Sequence, residues 1–136
     1  MFENFDHTAD LGLRVRAADL ATLFAEAAEA LFAAIVADPA TIQPREATTF
    51  TIPGTDPDDL LFDWLRAVLF QFDGEHRLFR RFEVTVNADG LTATAWGEPL
   101  DRTRHELDHE VKAITYHGLK VERTPDGWLA EVIVDI

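Results

Sequence analysis

The sequence predicts an α+β domain in which mostly antiparallel β-structure is covered by two main helices, and three observations predict it. Residues 11–16 and the segments beyond residue 82 carry apolar residues at every second position, the period of half-buried strands. Two stretches, beginning near residues 20 and 57, carry apolar residues at helical spacing instead. The turn sequences Asn87-Ala88-Asp89-Gly90 and Thr124-Pro125-Asp126-Gly127 each separate two strand-like runs, as hairpins require.

The elements follow in order. Phe5 to Asp10 reads as a turn feeding a strand, on which Leu11, Leu13 and Val15 share one face. Asp19 is placed to cap a helix whose apolar face runs through Leu20, Leu23, Phe24, Ala27, Leu31, Phe32 and Ile35. Glu26 and Glu29 lie away from that face, and Pro39 marks the stop. Thr48–Ile52 is a short β-prone run ended by Pro53-Gly54. Asp56-Pro57 then starts a second helix, with Asp as cap and Pro at the first helical position. This helix, DDLLFDWLRAVLFQFD, is apolar around most of its circumference, so it is expected to be sandwiched, or to offer part of itself to a partner. The hairpin from Phe82 to Ala95 comes next. Glu98–Glu110 reads as a polar loop or short helix of little core value, and Ala113–Arg123 and Trp128–Ile136 as two further strands. No linker or internal repeat divides the chain, and 136 residues make one domain, 1–136.

Composition narrows the function classes. The net charge of −13 repels phosphate backbones, and with only Lys112 and Lys120 as lysines no basic stripe overcomes it. Direct nucleic-acid binding is therefore not expected; a basic protein partner or a cation suits this surface, which also confers solubility. No cysteine is present, which excludes disulfides, thiolate metal sites and a Cys nucleophile, and fits a reducing cytosol. With no signal-peptide pattern and no apolar run near the ~18 residues of a membrane span, a soluble cytoplasmic protein with no membrane association is expected. The absence of serine rules out a GxSxG nucleophile, and no Walker-type or GxGxxG loop occurs.

Two constellations remain. Asp10 opens the first strand, while Asp135 and the carboxylate of Ile136 close the last. If those strands are neighbours, the oxygens would gather into a set suited to Ca²⁺ or Mg²⁺. On pattern alone the simpler reading is a turn-forming Asp10 and a solvated Asp135. The second constellation is His105-Glu106-Leu107-Asp108-His109, which fits the zinc-protease pattern HExxH. It lacks the apolar periodicity that would anchor both histidines on a rigid helix, so the match reads as accidental.

Together FDHTADLGLRV, LLFDWLRAVLFQFD, GEPLDRTRHELDHEVKAITYHGLKV and GWLAEVIVDI resemble the archease family, nearly end to end and in order. The resemblance implies an α+β fold related to the strand-helix-strand-strand (SHS2) module. It also implies a non-enzymatic cofactor of tRNA splicing that promotes guanylylation and turnover of the RtcB-type RNA ligase. An alternative proposed for such proteins is a chaperone-like modulator of a tRNA methyltransferase. The family's divalent-metal site, usually described with calcium, carries over to Asp10, Asp135 and Ile136, with His7 beside it or forming the turn. Lys112 and His117, in the most characteristic segment, become candidate partner contacts. A general binding module and an HELDH hydrolase stand as the competing classes; the first predicts indifference to metal, the second a zinc-dependent activity lost in Glu106→Ala.

Overall fold

Two antiparallel sheets pack against the two helices of the chain. The computed structural model describes the backbone of residues 1–7 and 10–136, and the side chains of residues 1–5 and 10–136. The order is β1 (Phe2–His7), β2 (Asp10–Ala17), α1 (Leu20–Ile35), a 3₁₀ turn at Pro39–Thr41, β3 (Glu46–Pro53), α2 (Pro57–Glu75), β4 (Arg77–Asn87), β5 (Gly90–Pro99), β6 (Ala113–Ile114), β7 (Lys120–Thr124) and β8 (Gly127–Asp135). One sheet has five strands, ordered β1-β2-β8-β6, with β7 also paired to β8; the other is β3-β5-β4. The α+β expectation holds, with the β-structure divided between two sheets.

Each helix begins where a side chain can take an orphan backbone N–H. The Asp19 carboxylate accepts from Thr22 N at 2.8 Å, which holds its carboxyl below the usual range. Asp56 caps α2 ahead of Pro57, and α2 ends on His76 in the left-handed region (φ 54), whose N–H closes onto Gln71 and Phe72 carbonyls. Helix α1 is buried more widely than its sequence suggests, and α2 is sandwiched as expected. In α1 not only the predicted face but also Ala28, Ala30 and Ala34 are buried, because small side chains let elements approach from more than one side. It packs against β2 of one sheet and β4 of the other. In α2 the core takes Leu60, Leu61, Phe62, Trp64, Leu65, Val68 and Leu69, and the helix meets strands of both sheets, while Phe70 projects outward. Trp64 is fully buried; its Nε1–H donates to Phe24 O at 2.9 Å, and its ring meets Phe50 and Phe82 edge-on.

Three local readings are corrected. Phe5–Asp10 does not simply feed the first strand as a turn: Phe2–His7 is a strand in its own right, paired with β2 from Phe2↔Val15 to His7↔Asp10. It is an edge strand, so it carries little of the period-2 signal that marks half-buried strands. Ala113–Arg123 is not one strand but two short ones, β6 and β7, parted by a turn in which Gly118 adopts φ 70. Glu98–Glu110 is not peripheral, since Glu98 and His105 are buried and Val111 follows them into the core.

Candidate functional site

The end of the five-stranded sheet brings the two chain-distant aspartates face to face. β2 and β8 run antiparallel in the register Leu11↔Val134, Leu13↔Val132 and Val15↔Ala130, all buried toward the helices. Alternation then puts Asp10 and Asp135, directly opposite each other in the same register, on the outer face. On the far side of β8 the row continues to Ala113 of β6, and Lys112 N donates to Asp135 O at 2.7 Å. Asp135 is exposed and Asp10 half-buried. The next residue, Ile136, packs its half-buried side chain on the core, which fixes the chain at that point. The side chain of His7 lies outside the described residues, as do Thr8 and Ala9; the His7 backbone pairs with Asp10.

Farther along the same outer face, charges are matched across strands. Arg14 Nε donates to Glu131 at 2.6 Å and its Nη1 to Glu3 at 2.9 Å, and Lys120 Nζ lies 3.2 Å from Glu131. That row reads Glu3, Arg14, Glu131, Lys120 across β1, β2, β8 and β7, alternating in sign. The Asp10–Asp135 row sets one aspartate across from another in the same register. Among the described residues no three Asp, Glu or His side chains gather into a metal-holding group. Among the described residues the donors at this end are oxygens, from two aspartates with Ile136 adjoining. Hard oxygen donors of this kind fit Ca²⁺ or Mg²⁺ rather than a metal that favours nitrogen or sulfur.

The HELDH segment has a structural role. It is extended rather than helical, with Leu107 bridged to Val36. His105 Nδ1 accepts from Asp101 N at 2.9 Å, and its Nε2 lies 2.8 Å from Glu98 Oε2, so neither ring nitrogen is left for a metal. Glu98 is buried, and burial opposes its charge. The Arg104 guanidinium, Gln43 N–H and His105 outweigh that penalty and hold its carboxyl at about 2. The zinc reading is therefore set aside on geometry.

Lys112 lines a groove of about 360 Å³ between α2 and β6, together with Phe62, Arg66, Leu69, Phe70 and Asp73. His117 sits beyond it, in the turn between β6 and β7, where its N–H donates to Thr115 Oγ1. Between them Tyr116 stacks on Phe62, centroids 3.8 Å apart and planes 11° off parallel. Residue spacing alone gave no signal for that pair or for the buried Glu98–His105 contact.

The chain was compared with known proteins. A family model described as the Archease protein family (MTH1598/TM1083) matches residues 2–136. Proteins named archease from Sulfurisphaera tokodaii and Methanopyrus kandleri are 37% and 40% identical to it, over 99% of this chain and 98% and 99% of theirs. The solution structure of Methanobacterium thermoautotrophicum protein 1598 superposes with TM-score 0.88 at 37% identity, covering 99% of this chain and 98% of that one. A Thermotoga maritima crystal structure, described as an archease and possible chaperone, shares the fold at TM-score 0.67 and 22% identity, over 100% and 98% of the two chains. Fold, extent and identity agree: the chain belongs to the archease family.

Proposed function

We propose that this protein is a non-enzymatic activator of an RtcB-type tRNA-splicing RNA ligase, promoting its guanylylation and repeated turnover. Asp10, Asp135 and Ile136 hold a divalent cation in this reading. The observation that carries it is the register that sets Asp10 against Asp135 at one end of the sheet. The family expectation names this same pair, and carboxylate oxygens on paired strands suit a hard cation. Bound there, Ca²⁺ or Mg²⁺ supplies positive charge and ligand-ordering at an exposed tip. The chain's own part is to present the two carboxylates on paired strands and to anchor Ile136 on the core.

The net charge of −13 supports action on the ligase rather than on its RNA, because an RNA-joining enzyme carries a basic surface toward which an acidic helper is steered. Guanylylation of the cognate ligase with GTP is expected to accelerate in the presence of this protein and to lose that acceleration with Asp10→Asn. Calcium is expected to raise the melting temperature of the wild type and not of Asp10→Asn. A metal-indifferent wild type that accelerates guanylylation as well as the variant does would remove the carboxylates from the mechanism. A protein that gives no acceleration but suppresses aggregation of a tRNA methyltransferase would favour the chaperone-like reading, which the exposed aromatics Phe70 and Tyr116 support.

A further inference from the structure

The outward stripe of α2 consists of Asp59, Asp63, Arg66, Phe70 and Asp73, offset by four, seven, eleven and fourteen positions and all exposed. A large aromatic in the middle of such a stripe is the anomaly. Phe70 is 67% exposed, and Tyr116, stacked on Phe62 nearby, is 60% exposed. Phe70 and Arg66 form a ridge between two grooves. One, of about 360 Å³, opens toward Lys112 and Ile114; the other, of about 400 Å³, toward Phe50, Asp63 and Ala67. Aromatic and arginine side chains of this kind, raised beside recesses, are what protein interfaces use as anchors.

We infer that the Phe70–Arg66 ridge is the docking surface for a protein partner whose own surface sets lysines or arginines around an apolar recess. The inference rests on the activator reading and makes the ligase that partner. Charge selects the occupant. Three aspartates share the stripe with Arg66, and Glu110 adds to Asp73 across the groove, against Lys112. Desolvation, and after it the neighbouring charges of Asp56, Asp63 and Asp58, raise the Asp59 carboxyl; desolvation and then Glu110 raise that of Asp73. Basic groups brought by a partner relieve that repulsion, while its apolar recess removes the Phe70 ring from water. Position favours the same surface. The groove's β6 wall is the strand hydrogen-bonded to the end of β8, so a partner seated on the ridge lies next to Asp135. Docking and cation presentation are thereby separate tasks of adjoining surfaces.

Direct binding of the cognate ligase, measured at low and high salt, tests this with wild type, Phe70→Ser and Asp10→Asn. Phe70→Ser is expected to weaken binding about tenfold or more, to leave thermal melting unchanged, and to restore full guanylylation at saturating concentration. Asp10→Asn is expected to bind nearly as the wild type does while failing to stimulate. The pair Asp63→Lys and Asp73→Lys, which keeps the ring, is expected to lose both affinity and its salt dependence, and carries the test if Phe70→Ser melts early. Wild-type binding that survives both Phe70→Ser and the charge reversal overturns the docking surface alone. Wild-type protein that neither binds nor stimulates the ligase overturns the activator reading itself.

Discussion

Removing the charge of Glu98 isolates the buried polar cluster that joins the 98–110 segment to the rest of the fold. The carboxylate is 3% exposed and takes Gln43 N–H at 2.8 Å, Arg104 Nη2 at 2.7 Å and His105 Nε2 at 2.8 Å. Its pKa falls from 4.5 to about 2 because these donors outweigh the desolvation that burial imposes. A carboxyl with a folded pKa below its unfolded one stabilises the protein above the unfolded value and loses that contribution as pH falls through the folded one. The shift corresponds to roughly 3 kcal/mol at pH 7, shrinking to about 1 kcal/mol at pH 3. Glu98→Gln keeps the volume but loses the charge that Arg104 and His105 face. Urea unfolding of wild type and Glu98→Gln at a series of pH values measures the gap directly, and taking the difference cancels the other carboxylates. A gap of several kcal/mol near neutrality that narrows below pH 4.5 is expected. A gap independent of pH would mean that Glu98 acts by packing alone, and the electrostatic account would be wrong.

Two further predictions concern the same region and its neighbour strand. At Gly97, a Cβ would stand 1.7 Å from Leu78 O, on the backbone of the paired strand just before the β4 irregularity between Phe79 and Arg81. Gly97→Ala is therefore expected to destabilise by about 2 kcal/mol or more, since backbone must move, read as a lowered urea midpoint; an unchanged midpoint would refute the close approach. In the HELDH segment, His105→Ala is expected to cost about 2–4 kcal/mol by stripping a partner from buried Glu98, whereas exposed Glu106→Ala is expected to stay within about 0.5 kcal/mol and to leave no zinc-dependent activity to lose. Equal effects of the two substitutions would contradict the structural role assigned to His105.

What the sequence made legible was set by how each residue is covered. The strand alternation at Leu11–Val15, both helix starts and the Asn87–Gly90 hairpin are local, and they stand as read. The β1 edge strand gave no such signal, because its existence is decided by the ladder it forms with β2. Glu98 and His105 were placed with solvated polar residues because composition cannot show that each satisfies the other in the core. The wide burial of α1 has the same origin. Alanines at 28, 30 and 34 look neutral in a sequence, yet their small volume lets two sheets close on α1. Phe70 looks like core, yet its place on the stripe of Asp63, Arg66 and Asp73 turns it outward.

The two aspartates show where local reading ends and tertiary pairing begins. Asp10 and Asp135 are 125 positions apart, and only the β2–β8 register makes them neighbours. A one-residue slip of either strand would turn that strand's aspartate to the face where Leu11 and Val134 now pack, so the core that fixes the register also fixes the pairing of the carboxylates. Along the same face the sheet could hold Arg14 against Glu131 and Glu3, and it does. At the tip the same register sets Asp10 across from Asp135. That pair stands at the end of the strands, and Ala113, which lines the groove beside Phe70, is the strand partner of Asp135.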